Sequence, residues 1–272
     1  MREFIEAIIL GIVQGLTEFL PVSSSGHLLF LQKLGVGEPS LFFNVALHIG
    51  TLLAVLVYYR KDIAQIVRKP FTPYNYKLIL STVLTVILAL IAKKYFIDIL
   101  EGKYLITGFI LTAVLLYTAQ LRLDKGKNIR SAGLQADEGS RCDGNGQLGI
   151  SYPAAVFAGI MQGIAVFPGI SRSGSTITAL LLSGSDRKSA AKYSFLLSVP
   201  VIFGAFILEF PSGTLASESL LPLLAGMLAA FVSGIFAIGF FVKLLSDKSL
   251  IPFCIYLVIL AAAMFAIKTF SY

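Results

Sequence analysis

Hydrophobic stretches alternate with short polar segments along the whole chain, and two of the hydrophobic units are broken in the middle. Residues 3–34 and 152–183 each contain apolar flanks around a loop rich in Pro, Gly and Ser. The flanks are shorter than the about 20 residues that cross a bilayer. We therefore expect each unit to enter the membrane as a helical hairpin and to turn back, with its loop lining a cavity.

Six longer hydrophobic runs complete the pattern, three after each hairpin, and each can span a bilayer with some tilt. The predicted fold is therefore an all-α polytopic membrane protein with six transmembrane helices and two re-entrant helical hairpins. The 56% hydrophobic content and the mean hydropathy of +0.83 exclude a soluble domain. The six runs are residues 41–59, 76–97, 104–121, 193–210, 219–245 and 250–267.

The two halves of the chain repeat each other. At a shift of 148 positions, eight of the sixteen residues from Gly11 to Gly26 are identical to their counterparts. We predict a first repeat at 1–121, a polar connecting loop at 122–149 and a second repeat at 150–272. Because an odd number of spans follows each hairpin, the second repeat is predicted to have inverted topology. Both hairpins carry a Gly-x-x-x-Gly step that favours close helix packing, at Gly11/Gly15 and Gly159/Gly163.

Basic residues are divided unevenly between the two predicted faces of the membrane. The face with the segments 60–77, 122–141, 187–192 and 243–248 carries fifteen Lys and Arg residues, and the other face carries six. By the positive-inside rule the first face is cytoplasmic and both termini are extracytoplasmic. The net charge of +7 therefore marks topology, and no nucleic-acid partner is expected.

The loop of the second hairpin, residues 167–176, is the strongest candidate site. Arg172 stands far from any other charge, and a guanidinium at membrane depth is costly unless it is paired. A Pro-Gly pair breaks one helix, and Ser171 or Ser173 can cap the next, which leaves N–H groups in the loop. With Thr176 as a further neutral donor, the loop favours a phosphate. The structural alternative is a serine-rich helix cap beside an arginine that reaches the interface.

The first hairpin contributes a carboxylate that the second lacks. Gln14 and Glu18 are one helical turn apart and therefore lie on one helix face. A buried Glu18 is costly unless it meets a cation, a metal or Arg172. A plain ion pair between Glu18 and Arg172 is the structural alternative to a catalytic role.

Histidines and a serine near the first loop add candidates for proton transfer. Ser24 and His27 follow the proline that breaks the first hairpin, and the neutral-pH titration of a histidine suits acid–base work. His48 lies inside an apolar run, a position more typical of a packed, hydrogen-bonded residue than of a catalyst.

These motifs resemble a known family. Gln14-x-x-x-Glu18 followed by residues 19–27, together with residues 168–176, is similar to the bacterial undecaprenyl-diphosphate phosphatase family, also called the bacitracin-resistance family. The resemblance covers essentially the whole chain. It implies a multi-pass enzyme of the bacterial inner membrane that removes the terminal phosphate from undecaprenyl diphosphate. The product would be the carrier lipid for peptidoglycan synthesis, and the activity would confer bacitracin resistance.

The resemblance also implies roles for single residues. Glu18 becomes an acidic residue that acts as a base or is linked to a metal, with Gln14 at a position where the family has Glu or Gln. His27 and Ser24 become the proton-transfer and nucleophile candidates. The implied diphosphate cradle consists of Ser171, Arg172, Ser173 and Thr176.

A divalent cation is the cofactor that the resemblance implies, magnesium or, as an alternative, calcium. Because this chain has Gln14, magnesium would rest on Glu18, water and the oxygens of the substrate. Two attacks on the terminal phosphorus stay open at this stage. Either Ser24 attacks with His27 as base, or water attacks after activation by His27 or Glu18.

A transporter or flippase of a polyprenyl phosphate lipid is the alternative function, because secondary transporters also use inverted repeats with broken helices. The unequal loops favour the enzyme, since an anion carrier would need Arg172 but not Glu18 and His27. A homodimer is a further possibility, through a face of small residues that equally suits packing within the bundle: Gly226, Ser233, Gly234 and Ala237.

Overall fold

The computed structural model of the chain describes residues 1–37, 40–96, 102–131, 149–209 and 220–270. Within these ranges it contains eleven α-helices and no β-strand, in agreement with the predicted all-α fold. In chain order the helices are α1 (Arg2–Phe19), α2 (Ser24–Lys33), α3 (Leu41–Tyr58), α4 (Arg60–Arg68), α5 (Pro73–Tyr95), α6 (Leu105–Ser131), α7 (Tyr152–Ile164), α8 (Arg172–Leu182), α9 (Arg187–Glu209), α10 (Leu220–Asp247) and α11 (Ile251–Phe270).

Five of these helices are long and apolar enough to cross a bilayer, namely α3, α5, α6, α9 and α10. Only a third to a half of each apolar stretch is buried inside the protein, so much apolar surface faces outward, as expected for a protein surrounded by lipid. The sixth predicted span forms α11, whose apolar stretch Ile251–Ile267 is shorter. The fold is that of a multi-pass membrane protein.

Both predicted hairpins form as pairs of helices joined by a turn, α1 with α2 and α7 with α8. The turn of the second hairpin contains Gly169 at a φ of +91°, a left-handed conformation that favours glycine. Ser171 then caps α8, since its hydroxyl accepts a hydrogen bond from the N–H of Gly174 at 3.1 Å. This is one of the two caps that the sequence predicts.

Glycines bring the first helix of each hairpin into close contact with a long helix. A Cβ atom added to Gly11 would lie 2.2 Å from the carbonyl oxygen of Gly226, where α1 packs against α10. A Cβ atom added to Gly159 would lie 2.7 Å from the Cα of Ser81, where α7 packs against α5. The close packing predicted from the two Gly-x-x-x-Gly steps is therefore present in both hairpins.

The small residues of α10 are used inside the bundle. Gly226 faces α1 and α3, and Gly234 lies against Phe19 and Ala54. Of the two uses that the sequence allows for this face, the structure adopts packing within one chain.

Helix α6 is longer than the sequence predicts. The polar loop expected from residue 122 begins as helix, and Gln120 donates to Asp124 across one turn of it at 2.8 Å. The remainder of the predicted connecting loop, residues 132–148, lies outside the described residues.

Candidate active site

The turns of the two hairpins contact each other, and α6 supports the second turn. The Ser173 hydroxyl donates to the carbonyl oxygen of Leu20 in the first turn at 3.0 Å. The Thr112 hydroxyl of α6 donates to the carbonyl of Gly169 at 3.0 Å and accepts from the N–H of Ser171 at 2.9 Å. The start of α8, which carries Arg172, is thereby held against the end of α1, which carries Glu18.

Glu18 is the residue on which the site converges, and only 6% of it is exposed. Arg172 donates through Nη2 to its Oε1. Its Oε2 accepts the amide N–H of Gln14 at 2.9 Å and the hydroxyl of Ser24. The Nε2 atom of His48 lies 3.5 Å from the same oxygen. Helices α1, α2, α3 and α8 thus each place one polar side chain, four in all, around one carboxylate.

Three buried polar atoms, in two side chains that contact this carboxylate and in Ser23 of the first turn, have no partner. Arg172 uses Nη2 for Glu18, whereas its Nη1 is buried without a hydrogen bond. The Oε1 atom of Gln14 and the hydroxyl of Ser23 are also buried and unbonded. Buried polar groups without partners are costly. An oxyanion at Nη1 and a cation or donor at Gln14 Oε1 would remove that cost.

The three hydroxyls predicted for the phosphate cradle already have partners within the protein. Ser171 caps α8, and Ser173 holds the first turn through Leu20. Thr176 bonds to the carbonyl of Arg172 at 2.9 Å and to the hydroxyl of Ser194. The structure therefore uses these hydroxyls to hold the second turn, and their role as ligands of a phosphate stays a prediction.

His27 does not pair with Ser24 or Glu18. Its Nδ1 lies 2.7 Å from the carbonyl oxygen of Ser23 and its Nε2 lies 2.6 Å from the hydroxyl of Tyr256. One of the two attacks allowed by the sequence uses Ser24 with His27 as its base. The structure does not show that pair, because Ser24 donates to Glu18 instead. The sequence does not predict this contact, because Tyr256 lies 229 positions from His27, in an apolar run without other polar side chains that would mark a site.

His48 belongs to the site, although the sequence favours a packed residue there. Its Nδ1 lies 2.7 Å from the carbonyl oxygen of Asn44, one turn earlier in α3, so Nε2 is the atom that faces Glu18. Asn44 is itself fixed by its side-chain amide, which exchanges hydrogen bonds of 3.0 and 3.3 Å with Gln32 of α2. A histidine in an apolar run was the only signal in the sequence.

The donor set fits a divalent cation that arrives with a phosphorylated ligand. In the part of the chain that the structure describes, no group of three His, Cys, Asp or Glu side chains is arranged to hold a metal. Glu18 supplies carboxylate oxygens, and the amide of Gln14, which bonds Glu18 through Nε2, has an unpartnered Oε1 atom. Magnesium commonly binds to one or two protein oxygens and completes its shell with water and phosphate oxygens.

Comparisons with known proteins agree on one family. The family described as "Bacitracin resistance protein BacA" matches residues 7–263. The undecaprenyl-diphosphatase of Carboxydothermus hydrogenoformans is 37% identical over 270 residues, 97% of each chain. Undecaprenyl-diphosphatase 4 of Bacillus thuringiensis subsp. konkukian is 40% identical over 264 residues, 93% of each chain. The undecaprenyl-diphosphatase of Christiangramia forsetii is 38% identical over 281 residues, 97% of this chain and 98% of the relative.

Proposed function

The chain belongs to the bacitracin resistance protein BacA family, and we propose that it hydrolyses undecaprenyl diphosphate to undecaprenyl phosphate and inorganic phosphate. The observation that carries the proposal is the partly buried guanidinium of Arg172, which is neutralised by Glu18 through Nη2 and has a buried, unpartnered Nη1 atom. A helix N-terminus beside a guanidinium is a suitable receptor for a phosphate. The apolar outer surface suits a substrate whose tail stays in hydrocarbon.

Binding of the terminal phosphate would begin at Arg172. Its Nη1 donates to a phosphate oxygen while Nη2 keeps its bond to Glu18, so the guanidinium is held in place before the substrate arrives. Charge on a transferring phosphoryl group is stabilised mainly by such prepositioned donors.

The chemical step that the geometry supports best is attack by Ser24. The Ser24 hydroxyl donates to Glu18, so Glu18 rather than His27 is positioned to take its proton. The Ser24 oxygen forms a bond to the terminal phosphorus, and the bond from that phosphorus to the bridging oxygen breaks. The lipid monophosphate leaves, water then hydrolyses the phosphoserine, and inorganic phosphate and the free Ser24 hydroxyl result. Direct attack by water activated by Glu18 is the competing route.

Magnesium would be held by Glu18, the Oε1 atom of Gln14, water and the substrate. When bound, it would neutralise charge on the diphosphate. Gln14→Glu should raise the affinity for magnesium, because a second carboxylate then joins Glu18. Isothermal titration of the purified protein with magnesium checks this without an activity assay, and unchanged affinity would remove Gln14 from the metal site.

The topology proposed for the enzyme is two inverted repeats in the bacterial inner membrane, with six spans, two re-entrant hairpins and both termini outside. The pairing of helices supports it, since α1 packs on α10 and α7 packs on α5, the helices that the repeat relates. Helix α3 also packs on its own counterpart, α9. Single cysteines are placed at residue 2 or at residue 61 of a chain that lacks Cys142 and Cys254. Labelling of these cysteines from outside intact cells would test the orientation. Labelling of residue 61 alone would reverse it.

The activity is tested by phosphate release from a long-chain polyprenyl diphosphate in detergent, with and without magnesium. Wild type is compared with Arg172→Ala and Glu18→Ala, and Arg60→Ala on α4 serves as an exposed arginine control. We expect release from wild type and the control, and loss in both site variants. Folded wild type that releases no phosphate would favour the carrier function instead, and transport of the lipid would then be measured in vesicles.

The covalent route is tested separately by trapping a phosphoenzyme with labelled substrate at low pH. We expect label on wild type and none on Ser24→Ala, which should also lose activity. Intact turnover in Ser24→Ala would remove Ser24 as nucleophile and leave the attack to water.

A further inference from the structure

The turn that presents Ser24 has a strained backbone. Ser23 has a φ of +67°, and in the described ranges it is the one residue other than glycine with a positive φ. Residues with a Cβ atom rarely adopt this conformation, and it persists only where surrounding contacts hold it. The Ser23 side chain provides no such contact, because its hydroxyl is buried without a partner. The contacts that hold the turn must come from its backbone.

His27 supplies those contacts through the carbonyl oxygen of Ser23. That oxygen accepts the backbone N–H of His27 at 3.2 Å and its Nδ1 at 2.7 Å. Because a carbonyl oxygen only accepts, the Nδ1 atom carries the ring proton. In the neutral ring the other nitrogen, Nε2, is then an acceptor.

Tyr256 of α11 is the donor to that acceptor. Its hydroxyl lies 2.6 Å from Nε2 of His27, and the two ring planes are 4° apart. Phe109 of α6 meets the imidazole edge-on at 5.6 Å. His27 is buried, whereas 43% of Tyr256 is exposed. The imidazole is thus locked in one tautomer and one orientation by groups from both its sides.

Packing of the hairpin does not demand this pair. At the shift of 148 positions, Ser175 of the second hairpin stands in place of His27. Ser175 is buried and its hydroxyl has no partner. The second turn needs no equivalent bond, because its Ser171 has an ordinary φ of −73°.

We propose that Tyr256 is a positioning residue, which acts through His27 to hold Ser23 in its left-handed conformation and thereby aims the Ser24 hydroxyl at Glu18. The Tyr256–His27–Ser23 brace, as we name this chain of hydrogen bonds, rests on the proposed function and adds a residue to it. It also gives His27 a task other than direct proton transfer.

The test is a comparison of Tyr256→Phe in three backgrounds. In the wild-type background we expect kcat to fall about tenfold, the effect of one hydrogen bond lost, with KM changed less than about twofold. In a Ser23→Gly background the turn no longer needs the brace, because glycine adopts this φ freely, and Tyr256→Phe should change kcat less than about twofold. In a Ser23→Ala background the strain persists, and the tenfold loss should return.

Tyr117→Phe is the matched control, since Tyr117 is a half-exposed tyrosine of α6, and it should leave kcat unchanged. Equal losses from Tyr256→Phe in the glycine and alanine backgrounds would overturn the proposal. So would a loss confined to KM, or no loss at all.

A second readout does not depend on activity. The chain has two histidines, so ¹⁵N spectra of the imidazoles of wild type and His48→Gln isolate the signals of His27. We expect the neutral Nδ1–H tautomer in wild type and a shift of the Nε2 signal in Tyr256→Phe but not in Tyr117→Phe. If the Nε2 chemical shift of His27 is the same in wild type and in Tyr256→Phe, the brace is refuted even when the enzyme is active. Inactive wild type with the expected spectra would refute the proposed function alone.

Discussion

The first hairpin, α1 with α2, and the second, α7 with α8, share eight of sixteen aligned residues around their turns, yet equivalent side chains make different contacts. Gln14 donates to Glu18, whereas its counterpart Gln162 donates to Thr85 of α5 at 3.3 Å. Val166 occupies the position of Glu18 in the second hairpin. The acid is therefore confined to one hairpin, and the arginine that neutralises it comes from the other.

The two turns also differ in how their helices begin. Ser171 has an ordinary backbone and caps α8, so Arg172 projects from a relaxed helix start. Ser23 has a left-handed backbone and no cap bond, and Ser24 follows it at the start of α2. The difference teaches that two hairpins of related sequence supply similar helix pairs, while the site exists only where two unlike turns are packed together.

Replacing the arginine should give the largest effect. Arg172→Lys keeps the charge but removes the fork that reaches Glu18 and a phosphate at once. We expect kcat/KM to fall about a hundredfold, because a hydrogen bond to a charged group is worth ~1.5–3 kcal/mol and lysine cannot make both bonds of the fork. Steady-state phosphate release measures the change, and Arg60→Lys on the surface of α4 is its control. Turnover near that of wild type would make Arg172 a structural residue.

Gly11 and Gly159, which bring the first helix of each hairpin against a long helix, should be equally important for stability. Gly11→Ala and Gly159→Ala each place a Cβ atom within 3 Å of facing backbone, and overpacking costs ~1–3 kcal/mol. We expect both variants to unfold at lower temperature in detergent. Gly204→Ala of α9 is the control, because no atom lies within 4 Å of the added Cβ, and alanine favours a helix by ~0.5–1 kcal/mol. Loss of stability in only one of the two variants would contradict equally close helix packing at Gly11 and Gly159.

How far the sequence predicts the site follows from the same comparison. The glycine steps and the turns can be predicted because the repeat marks them in both halves, and the Ser171 cap can be predicted from local helix chemistry. Gln14, Glu18, Ser24 and Arg172 stand out in the sequence because polar side chains are conspicuous in apolar runs, but the sequence offers His27 as the partner of Ser24, and not Glu18. Tyr256 and the place of His48 were not visible, because both depend on which helices pack together.

Each hairpin has one serine directly before its second helix, Ser23 before α2 and Ser171 before α8. Replacing them should change stability by an intermediate amount. Ser171→Ala removes a cap and should cost ~1 kcal/mol of stability. Ser23→Ala removes a hydroxyl without a hydrogen bond and should leave stability nearly unchanged. Melting temperatures of the two variants in the same detergent make the comparison. Similar losses at both positions would mean that Ser23 contributes a bond that the present geometry lacks.

Changes at His48 should have the smallest effect of the series on activity. Its Nε2 lies 3.5 Å from Glu18, beyond the usual range of a hydrogen bond, so it adds to the field at the carboxylate more than to its anchoring. We expect His48→Leu to lower kcat/KM about fivefold, on the scale of ~1 kcal/mol, and His48→Gln to recover most of it through an amide donor. His48→Leu as severe as Arg172→Lys would show that α3 anchors Glu18 as firmly as the second hairpin does. The site would then depend on three helices equally, and the division of chemistry between the two hairpins would no longer describe it.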